Sequence, residues 1–383
     1  MNCDQHMTNE GAFVRVPAFV DLHVHFREPG FPEKETIASG ARAAAAGGYR
    51  AVCMMPNTRP VIDSVETLLA VDWLGREANV TGVSVLAAAA MTMGQAGDRL
   101  TGLAAMDVAG TRCKTLTGHG VCGVSEDGKT LENPYLMEEI CRQAARLGLA
   151  LMDHAEPEVE TIRRDIALAQ RTGARIHIQH VSLAESVRLL REAKAAGALV
   201  TCETAPHYIA LTSEALREMG ANAKMNPPLA SEDDRLALIE GLRDGTIDCI
   251  ATDHAPHEAA AKEGPAWQAA NGIVGLETAF PVCYTVLVRG GYLTLDDLVC
   301  LMAIRPAEII GLPPPGDLED PAGSYVLLDL ETEYEIDKNT FRSKGRNTPF
   351  HGMSVYGRVM QTVIDNRVVY AATMNPATTL RST

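Results

Sequence analysis

The chain has 383 residues, 46% hydrophobic and 22% charged, with a formal charge of −15 at neutral pH. That length buries a large core in one domain or two, and that charge repels nucleic acid and anionic membrane surfaces alike. No stretch offers the roughly 18 uninterrupted apolar residues that span a bilayer, and the opening MNCDQHMTNE has no basic segment followed by an apolar run, so the expected location is the cytoplasm.

In chain order, eight apolar, β-branched runs bounded by Gly, Pro or Asp read as strands: FVDLHVH (19–25), YRAVCMMP (49–56), VTGVSVLAAAA (80–90), VCGVSED (121–127), LALMDHAE (149–156), RIHIQHVS (175–182), LVTCETAPHY (199–208) and CIATDHAP (249–256). The Ala-rich end of the third run, 85–90, suits the opening of a helix equally well. Segments 33–46, 64–77, 132–146, 184–196 and 231–243 have helical spacing, and Gly47–Gly48, Gly148, Gly173 and Gly197 fall near helix ends, where left-handed caps are common. Strands alternating with helices call for a parallel sheet with right-handed crossovers, and eight strands close a (β/α)8 TIM-type barrel; an open doubly wound sheet is the alternative. Beyond residue 318 the texture changes to SYVLLDL, EYEID and GRVMQTVIDNRVVY, with Asp365-Asn366 at a hairpin. This predicts a small β-sandwich-like appendage, joined by residues 11–17. The expected domains are a barrel over 18–318 and a β unit built from 1–17 plus 319–383. Nine cysteines are scattered without a CxxC pair, several inside apolar runs, and are expected to be buried free thiols.

Side chains alternate faces along a strand, so His23 and His25 in FVDLHVHFREPG point the same way. At the C-terminal end of a first barrel strand, that way is the mouth where the fold carries its chemistry. Two imidazoles facing together are natural metal ligands, although a structural pair is the plainer reading of HxH alone. Position favours the metal: Asp153 or His154, His180, His207 and Asp253 also close strand-like runs, whereas the helical segments carry almost none of the 11 histidines. Nitrogen and carboxylate donors without thiolate suit catalytic Zn2+, with manganese, cobalt or iron as other occupants. Six such donors exceed what one open catalytic zinc takes. The excess predicts two ions about 3.5–4 Å apart that generate hydroxide near neutral pH, so the reaction class is metal-assisted hydrolysis or its reverse.

Asp253, in ATDHAPH, has a second role open to it, accepting the hydroxide proton and passing it to a leaving nitrogen. Arg27, two residues past His25, faces the mouth again, and its guanidinium is shaped to hold a carboxylate by two hydrogen bonds. An anionic small molecule is the partner such a cation implies. Asn57, in MMPNT, and His257, four residues past Asp253, are further polar contacts, Asn57 being equally at home as a turn residue beside Pro56. The long stretch PHEAAAKEGPAWQAAN (256–271) after the last barrel strand is a lid candidate.

With DLHVHFREPG, MPNTRPVID, DHAE, CETAPHY, KMNPPL, ATDHAPH, GIVGLET and SKGRNTPFHG together, the chain resembles the dihydroorotases of the amidohydrolase superfamily, in the bacterial branch that bridges its metals with an aspartate. The resemblance runs from about residue 17 to the C-terminal region. REPG after the HxH, and NTPFHG, favour dihydroorotase over hydantoinase or allantoinase. It implies metal-dependent interconversion of N-carbamoyl-L-aspartate and L-dihydroorotate, a step of pyrimidine synthesis. It also implies His23 and His25 on one metal, His180 and His207 on the other, Asp153 between them, and Asp253 on the first metal and in proton transfer. Arg27, Asn57 and His257 match the substrate-carboxylate contacts.

Three departures from the family pattern stand out: only about 18 residues precede the HxH strand, an insertion common between DHAE and RIHIQHVS is missing, and Ala230 stands where arginine is frequent. Two other readings follow from the same family: a hydantoinase- or allantoinase-like hydrolase, whose largely neutral rings have no need of Arg27, and a silent homologue partnering aspartate carbamoyltransferase. The second usually loses its metal ligands, which this chain retains. A homo-oligomer is the expectation at the level of the fold.

Overall fold

A computed structural model describes residues 7–10, 12–77, 81–314 and 323–373. Its centre is a ring of parallel strands: β1 (Phe19–Val24), β2 (Tyr49–Met54), β3 (Ser84–Ala87, continuing as Ala89–Ala90), β4 (Val124–Ser125), β5 (Ala150–Asp153), β6 (Arg175–Ile178), β7 (Val200–Thr204) and β8 (Cys249–Ile250). Each pairs with the next in parallel. The ring closes where the chain beyond β8 reaches β1. His254 bridges Val24 in parallel, and the His25 N–H donates to the His254 carbonyl at 2.8 Å. The result is a (β/α)8 barrel.

The strands form because both of their faces are buried, which rewards near-continuous apolar runs over alternation. One face packs under the helices; the other, including Val20, Leu22, Ala51, Cys53, Leu86, Met152, Cys249 and Ala251, fills the barrel interior. A register shift between Asp21 and Val24 in the β1–β2 pairing falls where the interior lining changes from Leu22 to the two histidines. The intervening helices start and stop on local signals. Thr36 and Ser231 make capping boxes for Ile37–Ala46 and Glu232–Arg243. Asn133 caps a helix with proline in its first turn, and Gly148 ends that helix at φ 74°.

The chain ends build a separate five-stranded antiparallel sheet in the order Thr8–Glu10, Phe13–Pro17, Tyr325–Asp329, Arg358–Ile364, Arg367–Ala371. Phe13–Pro17 is internal to it, paired with Thr8–Glu10 on one side and Tyr325–Asp329 on the other. Asp365 and Asn366 both take positive φ in the final hairpin, as a tight I′-type turn requires. Thr362 Oγ1 donates to the Ala45 carbonyl at 2.7 Å and ties the sheet to the first barrel helix. Residues 343–348 then run back to the barrel mouth, with Ser343, Asn347 and Thr348 buried.

Among the described residues seven cysteines are free and buried, as expected of small core residues, but Cys300 departs from the expectation of free thiols, being disulfide-bonded; Cys3 lies outside the described residues. Among the described residues, no helix is long and apolar enough to cross a membrane.

Candidate metal centre

Six buried side chains meet at the C-terminal end of the barrel. His23 and His25 come from the end of β1, Asp127 from beyond β4, His154 from beyond β5, His180 from beyond β6 and Asp253 from beyond β8. His23 Nε2 lies 3.1 Å from Asp127 Oδ1 and 3.6 Å from Asp253 Oδ1. His25 Nε2 lies 3.0 Å from Asp253 Oδ1 and 3.4 Å from Asp127 Oδ2. On the other side, His154 Nδ1 stands 2.8 Å from His180 Nε2 and 3.6 Å from Asp127 Oδ1. Asp127 therefore faces both halves of the cluster. His23, His25 and Asp127 form one group of mutually close ligand atoms, and Asp127, His154 and His180 another. His180 and Asp253 hold positive φ, 38° and 46°, a conformation that side-chain-bearing residues rarely adopt and that collects at functional sites.

The electrostatics are those of a site built for cations. Burial alone would raise the Asp127 carboxyl, yet the charges of His23 and His25 hold it well below its ordinary value. Asp253 is held at about 2 against its burial by His23 and His25. Burial, with His154 and His23 close by, pushes the His180 imidazole down to about 3. Burial also disfavours a charged His23, but Asp253 and Asp127 outweigh it and lift that ring well above the usual histidine range. His23 Nε2 is buried with no hydrogen-bond partner, and His154 Nδ1 and His180 Nε2 face each other at 2.8 Å. Four imidazoles, two carboxylates and no thiolate fit one or two divalent ions.

Each ligand is held from behind. Asn57 Oδ1 accepts from His25 Nδ1 at 3.1 Å, while Asn57 Nδ2 donates to Asp127 Oδ2 at 3.1 Å. Glu203 Oε1 takes His23 Nδ1 at 2.8 Å, and Gln179 Nε2 stands 3.2 Å from the same nitrogen and 3.2 Å from Met55 Sδ. Glu156 Oε2 accepts from His154 Nε2 at 3.2 Å and from Asn226 at 3.1 Å. A groove of about 470 Å3 opens beside these two, and Pro157 and Ala230 line it.

Arg27 borders the cluster: burial lowers its guanidinium from the ordinary value, and Asp253 and Asp127 are close enough to oppose that shift. Among the described residues its guanidinium makes one hydrogen bond, Nε to the Pro256 carbonyl at 3.3 Å. His257 donates Nε2–H to the Asn271 carbonyl at 2.8 Å, which leaves Nδ1 buried and without a partner. Burial and the cations Arg27, Lys34 and Lys262 press this ring to about 3, so it is neutral at physiological pH. The loop that follows is folded down: Lys262 Nζ donates to the carbonyls of Ala221, Lys224 and Ala270, and Lys224 Nζ to those of Trp267 and Ala269.

Residues 14–369 match the amidohydrolase family. The chain belongs to the amidohydrolase family. Within it, the chain is 44% identical to the dihydroorotase of Brevibacillus brevis, over 92% of this chain and 86% of that protein. It is 42% identical to the dihydroorotase of Bacillus subtilis over the same shares. In fold, this amidohydrolase is similar to L-hydantoinase from Arthrobacter aurescens, with a TM-score of 0.82 over 93% of this chain and 85% of that one at 24% identity. It is also similar to the dihydropyrimidinase of Brevibacillus agri, with a TM-score of 0.78 over 94% and 85% at 20% identity.

Of the residues that the amidohydrolase sequence singles out, His23, His25, His180 and Asp253 come together, and Arg27 and His257 flank them. Asp153 does not. It ends β5 pointing away from the cluster, where its Oδ2 accepts from Arg164 at 2.6 Å, and Asp127 occupies the position expected of it. Strand parity is the reason: Met152 lines the barrel interior, so 152 and 154 face inward and 153 faces the helices. His154, the alternative weighed beside Asp153, is therefore the residue in the cluster. His207 is also outside it, because it lies in the short helix Pro206–Ala210 with its ring 4.3 Å from that of Tyr208. Its Nε2 is buried without a partner, and burial lowers it to about 4. Asn57 spends both ends of its amide on His25 and Asp127, so it orients ligands rather than facing the mouth. Asp127 and Glu203 are site residues that the motifs do not mark, although Asp127 closes VCGVSED much as Asp253 follows the apolar run CIAT.

Proposed function

We propose that this amidohydrolase is a dihydroorotase that interconverts L-dihydroorotate and N-carbamoyl-L-aspartate in de novo pyrimidine biosynthesis. The observation that carries the reading is the buried cluster of four imidazoles and two carboxylates with a lightly engaged guanidinium, Arg27, at its edge. Relatives named dihydroorotase over most of the chain support it. In this reading His23, His25 and Asp253 would hold one ion and His154 and His180 the other, with Asp127 facing both. Zn2+ is the proposed occupant, and a bound pair supplies Lewis acidity and a water acidic enough to ionise near neutral pH.

The chain's own residues do the rest. Asp253, a carboxylate at neutral pH, accepts a proton at Oδ and returns it to the ring nitrogen as the amide opens. Arg27 holds the substrate carboxylate, and its distance from solvent strengthens that pairing. The neutral His257 offers Nδ1 as an acceptor beside it. The loop over 256–271 keeps bulk water from the mouth.

The test compares dihydroorotate with dihydrouracil, the same ring without its carboxylate. We expect kcat/KM to favour dihydroorotate, and Arg27→Met to lower it for dihydroorotate by roughly 10–100-fold, the loss of one charge-assisted contact of about 1.5–3 kcal/mol. Dihydrouracil turnover should barely change. Preferential turnover of dihydrouracil or hydantoin by the unmodified protein would overturn the reading in favour of the hydantoinase-like one.

A further inference from the structure

Below the metal centre a second cluster, His177, Glu203 and Cys249, lies wholly inside the barrel. Its hydrogen bonds form a line. Thr201 Oγ1 lies 2.9 Å from His177 Nδ1, His177 Nε2 lies 3.0 Å from Glu203 Oε2, and Glu203 Oε1 lies 2.8 Å from His23 Nδ1. A carboxylate only accepts, so both ring nitrogens that face Glu203 carry hydrogen. His177 is left with a lone pair on Nδ1, which takes the Thr201 hydroxyl proton. His23 turns its other nitrogen, Nε2, toward Asp127 and Asp253, and with Nδ1–H held by Glu203 it is Nε2 whose lone pair would go to an ion. Glu203 is wholly buried, and each of its two oxygens accepts from one imidazole, Oε2 from His177 and Oε1 from His23.

The ligands are not served alike. His25 is backed by a neutral amide, Asn57, and His154 by Glu156, whose side chain is 58% exposed and screened by water. Only His23, among the described ligands, has a fully buried anion behind it. Such a carboxylate fixes the tautomer and makes the ring a stronger donor, and partners of this kind typically tune metal affinity by about 10–100-fold. We propose that Glu203, itself oriented by His177, is a positioning residue that makes the His23, His25 and Asp253 side the tighter of two metal positions. The inference rests on the two-metal reading above, and it adds an ordering of the two positions.

The experiment titrates metal-stripped protein with Zn2+ against a chromophoric chelator. Two affinity classes are expected. Glu203→Gln keeps the shape and the acceptor but removes the charge, and should weaken the tighter class by about 10–100-fold while moving the looser class less than threefold. His177→Gln, which retains a donor for Glu203, should fall between it and the unmodified protein. Equal shifts of both classes, or no shift in Glu203→Gln, would overturn the ordering while leaving the metal reading intact. A protein that takes up no Zn2+ overturns both. Should Glu203→Gln fail to fold, imidazole 1H–15N spectra of the zinc-loaded unmodified protein decide the matter: His23 must carry hydrogen on Nδ1, and an unprotonated Nδ1 sinks the proposal.

Discussion

One peptide bond separates Asp153 from His154, and the pleat sends them to opposite sides of β5. Asp153 shares Arg164 with Asp165, which accepts from the same guanidinium at 2.8 Å. Burial, and then the charge of Asp153, pushes the Asp165 carboxyl up from its ordinary value. Asp153→Asn removes that neighbouring charge and leaves Arg164 to Asp165, which already accepts from it. The expected cost is about 1 kcal/mol in urea unfolding, with two metals and activity within twofold retained. Asp127→Asn removes the carboxylate that faces both halves of the cluster and should lose one metal per chain, with kcat/KM falling on the order of 10³-fold. Elemental analysis beside the assay checks the pair, and metal loss in Asp153→Asn instead would reverse the assignment. Motif reading located the strand ends that carry chemistry but not the parity within DHAE. That parity follows from Met152 pointing inward, which only the closed barrel makes visible. His207 misled for a related reason: CETAPHY bends into a helix at Pro206, so alternation stops before the histidine.

At the level of elements, the eight strands were legible because a barrel strand is apolar on both faces, and the Ala-rich run 85–90 proved to be strand, broken only at Ala88. What no local pattern conveys is where SKGRNTPFHG docks. It lies more than 70 residues past the last barrel strand, yet Asn347 Oδ1 accepts the His257 N–H at 3.0 Å, and its Nδ2 donates to the carbonyls of Ala255 and Gly272 at 2.9 and 3.0 Å. One buried amide thus closes both ends of the loop over 256–271 and places His257. Ser343 and Lys344 meanwhile bind Glu35, which also receives His254 at 3.4 Å. Asn347→Ala leaves three backbone groups unpartnered and should cost about 2–3 kcal/mol. KM should rise severalfold with a smaller change in kcat, and amide hydrogen exchange should quicken across 255–272 while β1 and β2 stay protected. Unchanged exchange in that loop would show that the lysine contacts at Lys224 and Lys262 hold it without Asn347.

For the whole molecule, the buried titratable groups set how stability responds to acid in the metal-free protein, and they pull in opposite directions. His180 and His257 at about 3, and His207 at about 4, stay neutral when folded but take protons when unfolded below about 6.5. Each therefore removes stability as pH falls from 6.5, by up to about 1.4 kcal/mol per pH unit, less for the partly exposed His257. Asp21 and Glu277 are raised by burial to about 7, so the folded chain binds protons there that the unfolded chain releases down to about pH 4. Those two add stability over the same interval and offset most of the histidine loss. Below about pH 4.5 the balance breaks. Asp253 and Glu203, both at about 2, and Asp127, lower than its ordinary value, all keep their charge folded while the unfolded chain protonates. Three such groups together cost up to roughly 4 kcal/mol per pH unit. Urea unfolding of stripped protein at half-unit steps should show a shallow plateau from pH 6.5 to 4.5 and a steep fall beneath it. A steep loss already between pH 6.5 and 5 would mean that Asp21 and Glu277 are ionised in the folded chain, and the offset assigned to them would be wrong.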